Sequence, residues 1–202
     1  RAHLLLGDGL EAVAVALCGR RRSKERHVLT VQAIEPIPYD ECKVRSPTQV
    51  TWSTNRLKPL LEKAESRDLA ILKIHSHPGG YRAFSNADDR SDDDLFNSVF
   101  GWTDSMFPHA SAVMLPDGEM FGRAILRDGT FQPLDSILVP GDDILFWTPA
   151  QASRIPGFAQ RHAQLFGSAT AQRLRDLAVA VIGCSGTGSP VIEQLARLGV
   201  GR

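Results

Sequence analysis

Short apolar runs separated by polar segments dominate the first third of the chain. Residues 11–19, 27–38 and 68–77 have the length and composition of strands, and the first of these is a continuous apolar run after Glu11. The first run has no polar position in its interior, so we expect a strand that is covered on both faces, with the basic segment 19–26 as the turn after it. Leucines at i, i+3 and i+4 predict a helix that begins near Asn55.

The rest of the chain continues this alternation. A helix is expected after Ser85, two strands joined by Pro-Asp-Gly at 109–126, and mixed strand and loop at 131–149. Residues 151–176 are predicted to be helical in two pieces. Strands that alternate with helices indicate an α/β class. We expect three parts, with boundaries at 1–145, 146–176 (a helical linker) and 177–202.

Composition narrows the class of protein. The chain has 202 residues, of which 43% are hydrophobic, and its 23 basic and 23 acidic residues balance to a net charge of zero. This balance argues against a nucleic-acid binder, and no apolar run is long enough to cross a membrane. The three cysteines are Cys18, Cys42 and Cys184; their wide spacing offers no disulfide framework, so we expect a reducing cytoplasm.

The stretch HSHPGGYRAFSNAD at 75–88 carries the main candidate chemistry. His75 and His77 are two apart at a strand end, so both side chains can face the same side. Ser85 and Asp88 have the spacing of a helix capping box, which would hold Asp88 in a fixed orientation. Two imidazoles and one carboxylate form a three-ligand set for catalytic zinc, with a fourth position left for water.

A general base would complete such a site. Glu11 lies at the start of an otherwise apolar strand, where a carboxylate is costly to bury without a partner. It could take a proton from water and pass it to a leaving amine, and Ser85 could donate a hydrogen bond to a developing oxyanion. Asp8 is the other acid close upstream.

Simpler interpretations exist for each residue. A His-x-His pair at a strand end is often structural, and Ser-x-x-Asp is often only a helix cap. The acidic run after Ser85 favours a helix N-terminus through the helix dipole, and we assign that role to all its members except Asp88. Phe84 could line a substrate groove or pack in the core, and His109 could lie near the site or in the core. The residues of the acidic run are Asp88, Asp89, Asp92, Asp93 and Asp94.

Together, His-x-His-Pro, Ser-x-x-Asp and an upstream Glu resemble the JAMM/MPN family of zinc metalloproteases, over roughly residues 1–140. The resemblance implies that His75, His77 and Asp88 bind Zn²⁺, with Glu11 as general base and Ser85 as oxyanion donor. It also implies a three-layer α/β fold like that of cytidine deaminases. Unlike many members, this chain has no glycine between Glu11 and Gly19.

Residues 179–201 contain a second motif. Three glycines, Gly183, Gly186 and Gly188, fall between an apolar run and a helical segment, where backbone N–H groups can approach a phosphate. The segment resembles the first strand, loop and helix of the Rossmann-like ThiF and ubiquitin-activating-enzyme family. That resemblance implies an incomplete ATP loop, so we expect ATP and Mg²⁺ binding only from a complete domain of this kind, and no adenylating activity from these residues.

The two resemblances together predict a zinc-dependent isopeptidase or peptidase. Its expected partners are the C-terminal tail of a ubiquitin-like protein, conjugates of that protein and a conjugating enzyme, in a bacterial conjugation system. Cleavage would mature a precursor or remove a conjugate, and sulfur-carrier processing is a close variant. A non-catalytic MPN-type scaffold and another metal hydrolase, such as a deaminase, are the alternatives. Zinc deaminases use a Cys-x-x-Cys pair, which the sequence lacks.

Overall fold

A computed structural model describes residues 1–23, 26–141, 144–148 and 168–201 of the chain. The chain divides into two compact units, Arg1–Pro149 and Ala150–Arg202. None of the helices in the described ranges is long and apolar enough to span a bilayer.

The first unit contains a six-stranded mixed sheet with the order β2-β1-β5-β6-β7-β8. The β5–β6 pair is parallel and the other neighbours are antiparallel. Its strands are β1 (Val13–Arg22), β2 (His27–Pro36), β5 (Ala70–Ser76), β6 (His109–Met114), β7 (Met120–Ile125) and β8 (Phe131–Pro133). Two separate hairpins are formed by β3 (Cys42–Ser46) with β4 (Gln49–Trp52), and by β9 (Ile137–Val139) with β10 (Leu145–Trp147).

Two helices, α1 (Leu57–Arg67) and α2 (Asn86–Thr103), pack against one face of this sheet. Their buried side chains, among them Leu57, Leu61 and Phe96, contact alternate residues of β1 such as Val15. Pro59 lies in the first turn of α1, where the missing N–H costs no helical hydrogen bond. The mixed α/β class is therefore as the sequence predicted.

The opposite face of the sheet is covered differently from the three-layer expectation. Here Ala14 of β1 and Ile74 of β5 pack against Leu4 of the N-terminal segment and against Ile137 and Trp147 of the β9–β10 hairpin. In the described part of the first unit, both α-helices lie on the other face. The third layer consists of this segment and hairpin, which supply apolar side chains without a helix.

Several boundaries differ from the sequence expectations. β1 continues to Arg22 and so includes half of the basic segment that we assigned to a turn. The segment after β2 contains a 3₁₀ turn at Tyr39–Glu41 and the β3–β4 hairpin, for which the sequence predicted no helix or strand. Its hydrophobic positions are too few and too exposed to produce a strand pattern. A second 3₁₀ turn at Thr54–Arg56 lies where the first helix was expected to begin.

In the second unit, the described helices are α3 (Ser168–Asp176) and α4 (Gly188–Leu198). The first of the two helical pieces expected at 151–176 lies outside the described residues. The strand expected before the glycines is wrong, because residues 177–184 have no regular structure and Ile182 is fully exposed. An apolar run forms a strand only beside a pairing partner, and this unit has no strand in its described residues. The nucleotide role of Gly183, Gly186 and Gly188 stays a prediction.

Candidate metal centre

The strand register explains why two distant segments meet at the site. β1 and β5 are antiparallel with Val13 opposite His75, and Ser76 N–H donates to Ala12 O at 3.0 Å just beyond β1. The same register places Glu11 opposite His77. Because alternate residues of a strand face the same side, Glu11, His75 and His77 are directed toward one side of the sheet edge.

Asp88 reaches the histidines from the start of α2. Ser85 is the N-cap, and the capping box is complete: Asp88 N–H donates to Ser85 Oγ at 3.2 Å, and Ser85 N–H donates to Asp88 Oδ2 at 2.6 Å. The turn before it is closed by a hydrogen bond from Gly80 N–H to His77 O, with Gly80 at a φ of +75° that suits glycine. The capping box therefore aims the carboxylate of Asp88 back toward β5.

The three side chains form a compact donor set. His75 Nε2 lies 2.9 Å from Asp88 Oδ1, and His77 Nε2 lies 3.4 Å from Asp88 Oδ2. The two Nε2 atoms are 3.1 Å apart, and one donor atom from each residue fits within 4.8 Å. This is the only such His/Cys/Asp/Glu group in the described part of the chain.

The hydrogen bonds around the set fit a metal ion. His77 Nδ1 lies 2.8 Å from Tyr81 O, a carbonyl that can only accept, so the Nδ1 carries a hydrogen and Nε2 is the nitrogen left for a metal. A second-shell carbonyl of this kind is typical of metal-binding histidines. Two imidazole nitrogens and a carboxylate suit zinc, so His75, His77 and Asp88 could hold this ion.

The hydrogen bonds of Asp88 also favour the ionised form of its carboxyl group. Burial opposes ionisation, but hydrogen bonds from His75, His77 and Ser85 hold the pKa of the Asp88 carboxyl far below its ordinary value. Burial lowers the pKa of His75. It acts in the same sense on His77, but the Asp88 and Tyr81 hydrogen bonds outweigh it and raise the pKa of that imidazole. Protons and a metal would compete for His77 Nε2, so metal affinity should fall as the pH is lowered.

Glu11 lines the same groove as His75 and Asp88. The groove is lined by Glu11, His75 and Asp88, by the β4 segment 48–52, and by Ser91 of α2, among others. Only 4% of Glu11 is exposed, and this burial raises the pKa of its carboxyl to about 7. A carboxyl with a pKa near neutrality is suited to accept and return a proton.

The raised pKa of Glu11 gives a test of its burial. With a folded-state pKa of about 7 against an ordinary 4.5, protonated Glu11 stabilises the metal-free protein fully below pH 4.5. This contribution is lost as the pH rises through 7. The unfolding free energy of Glu11→Gln minus that of wild type should increase by on the order of 3 kcal/mol as the pH rises from 4.5 to 8. Urea unfolding of both metal-free proteins across this range measures it, and a constant difference would contradict the burial of this carboxyl.

Asp8, the other acid that the sequence offered, is placed elsewhere. Its carboxylate forms a bidentate ion pair with Arg45, at 2.6 and 3.2 Å from the two Nη atoms. Arg45 also donates from Nε to Glu11 O at 3.0 Å, and its guanidinium lies over the ring of Tyr39. Arg45 was not predicted as a site residue, because the segment that contains it shows no strand pattern in the sequence. Its contacts fix the backbone of Glu11.

Removal of Arg45 should therefore affect catalysis more than metal binding. We expect Arg45→Met to lower kcat about 10- to 100-fold, because a small displacement of Glu11 impairs proton transfer, while the zinc content stays at the wild-type level. Lys43→Met is the matched control, since Lys43 is an exposed cation of the same strand. Steady-state kinetics with zinc analysis measures both; equal kcat values for the two variants would contradict this role.

Phe84 and His109, which the sequence left open as site or core residues, lie in different environments. The Phe84 ring lies 6.4 Å from the His75 ring and 5.3 Å from Phe121, and so borders the site. His109 is fully buried, and its Nδ1 accepts from Ile71 N–H at 2.9 Å. Burial lowers the pKa of His109 to about 3, so it is a neutral core residue.

Comparison with known protein families supports the sequence resemblance. Residues 1–125 match the family described as prokaryotic homologs of the JAB domain. The match includes every residue of the donor set as well as Glu11 and Ser85, and it ends before the glycine-rich segment. A search of curated proteins found no match.

Proposed function

Since the chain belongs to the prokaryotic homologs of the JAB domain, we propose that it is a zinc-dependent isopeptidase or peptidase that cleaves after the C-terminus of a ubiquitin-like protein. The observation that carries the proposal is a His-His-Asp donor set, two of whose members, His75 and Asp88, share one groove with the buried carboxyl of Glu11. A bound zinc ion would supply Lewis-acid polarisation of the scissile carbonyl and would acidify a coordinated water.

The chain's own residues would handle the protons. Glu11 accepts the proton of the attacking water and then transfers it to the departing amine, as a carboxyl with a pKa near 7 can do in both directions. The low exposure of Glu11 keeps bulk water from competing for that proton. Glu11 therefore acts first as general base and then as general acid.

Ser85 has one hydroxyl hydrogen, which it can donate either to Asp88 or to the oxyanion of the substrate. Its Oγ lies 2.8 Å from Asp88 Oδ2, so this hydrogen goes to Asp88 while that oxygen is available. Rotation of the hydroxyl would instead direct this hydrogen to the oxyanion that forms on the substrate, while Ser85 Oγ still accepts from Asp88 N–H.

The walls of the groove suit an extended peptide. In the described residues, β4 pairs only with β3, so its other edge can add a strand from the substrate. The wall on the α2 side carries the small side chains of Ala87 and Ser91. A narrow groove with a free strand edge favours a flexible tail over a folded surface, in keeping with a ubiquitin-like C-terminus and its conjugates as partners. A conjugating enzyme of the same pathway is a further proposed partner.

The test is cleavage of ubiquitin-like proteins that carry a reporter at the C-terminus, joined either linearly or through a lysine side chain. We expect cleavage directly after the last residue of the tail. The control is the same fusion with its flexible tail deleted, which should resist cleavage because it cannot enter the groove. Equal cleavage of both fusions, or no cleavage of any tailed fusion by the zinc-loaded protein, would contradict the proposed substrate class.

A further inference from the structure

Four charged side chains form an ion cluster beside the metal centre: Lys73, Asp89, Asp92 and Arg123. Lys73 Nζ lies 2.5 Å from Asp92 Oδ1, while the other oxygen of Asp92 accepts from Arg123 Nη2 at 2.7 Å and Nε at 3.1 Å. Arg123 Nη1 lies 2.5 Å from Asp89 Oδ1. Asp92 is fully buried, and Lys73 and Arg123 are nearly so.

The cluster joins the elements that carry the metal-binding side chains. Lys73 is on β5, two residues before His75, and so faces the same side of the sheet. Asp92 is on α2, four residues after Asp88, which places it one helical turn away on the same face. Arg123 comes from β7, on the other side of β6. The ion pairs thus cross-link β5, α2 and β7.

Arg123 contacts the start of α2 at three points that flank Asp88. It pairs with Asp89 and Asp92 after Asp88, and its guanidinium lies 3.9 Å from the ring of Phe84, which immediately precedes the N-cap Ser85. Contacts on both sides restrict rotation and sliding of the first helical turn.

Stability alone is a poor explanation for this arrangement. Burial of charged groups costs desolvation free energy that the ion pairs repay only in part, and apolar residues of similar volume often give an equally or more stable fold. The same charges do define one relative position of α2, β5 and β7, because any shift would leave a buried charge unpaired. Asp89 and Asp92, which the sequence analysis assigned to the helix dipole alone, belong to this cluster.

We infer that Lys73, Asp92 and Arg123 are positioning residues of the metal centre, which hold Asp88 at the distance from His75 and His77 that a zinc ion requires. The inference rests on the proposed zinc site. It concerns the geometry and affinity of that site, not the identity of the substrate.

The experiment compares Asp92→Asn and Arg123→Lys with wild type. Asp92→Asn keeps the shape but loses the central charge; Arg123→Lys keeps a cation but loses the fork that reaches Asp89 and Asp92 together. The control is Arg20→Met. Arg20 is an equally buried cation, but it pairs with Asp68 and donates to Pro108 O at the opposite end of β1.

We expect both cluster variants to bind Zn²⁺ about 10-fold more weakly than wild type in competition with a chromophoric chelator, the lower end of the range for loss of a direct partner of a metal ligand, because these residues act on Asp88 through the helix. The visible absorption of the Co²⁺-loaded protein should also change, since it reports ligand geometry. Arg20→Met should lower the unfolding temperature of the metal-free protein and leave Zn²⁺ affinity and the Co²⁺ spectrum unchanged.

Cluster variants that unfold earlier yet keep wild-type Zn²⁺ affinity and Co²⁺ spectrum would overturn the inference and leave the cluster a purely stabilising role. If Asp92→Asn does not fold, Arg123→Lys decides the question by the same two readouts. Failure of wild type itself to bind Zn²⁺ would instead contradict the proposed function.

Discussion

Replacement of Glu11 with glutamine should reduce cleavage of a tailed ubiquitin-like fusion by about 10²- to 10⁴-fold, the usual contribution of a general base. Glutamine has nearly the same shape as glutamate but cannot accept a proton at neutral pH. Because Glu11 is not part of the His-His-Asp donor set, the variant should still bind one zinc per chain.

The matched control for this variant is Glu62→Gln, which changes an exposed glutamate on α1 in the same way. Initial rates at saturating substrate, together with zinc content, measure both variants. The assignment of Glu11 fails if the two variants cleave at similar rates, or if Glu11→Gln loses its activity only because its zinc is lost.

The second large effect is expected from Asp88→Asn. Asparagine still accepts a hydrogen bond at a helix N-terminus, so the fold of α2 should persist. The neutral amide is a much poorer zinc ligand than a carboxylate. We expect Zn²⁺ affinity to fall by more than the ~100-fold upper range for outer-shell partners, and cleavage to fall with it.

Asp93→Asn is the control, since Asp93 is an exposed carboxylate on the same helix. Chelator competition and circular dichroism separate loss of zinc from loss of helix. A variant that keeps wild-type zinc affinity would remove Asp88 from the donor set. If the variant loses helical circular dichroism together with zinc affinity, the main role of Asp88 is in the capping box.

The parts of the fold and site that the sequence predicts are those with local signatures. The apolar run before Gly19 becomes a fully buried strand, and Ser85 with Asp88 forms the expected capping box. The spacing of His75 and His77 already places both on one side of a strand end. In each case, neighbouring residues carry enough information to fix the local geometry.

The remaining features depend on contacts between distant residues. Asp92 and Arg123 are 31 positions apart, so no local pattern indicates their ion pair. The β3–β4 hairpin places Arg45 beside the backbone of Glu11. Its sequence is polar and has too few apolar residues to predict two strands. The apolar segment 177–184 shows the converse: its composition is typical of a strand, yet it forms none, since no strand for it to pair with occurs in the described part of its unit.

Titration of Zn²⁺ into chelator-treated, metal-free protein, with cleavage of a tailed ubiquitin-like fusion as the readout, tests whether the protein is a zinc-dependent peptidase. We predict no cleavage without metal, and activity that rises linearly with Zn²⁺ and saturates at one equivalent per chain. Cleavage by the metal-free protein, or a zinc-loaded protein that cleaves no faster than Glu11→Gln, would contradict this prediction.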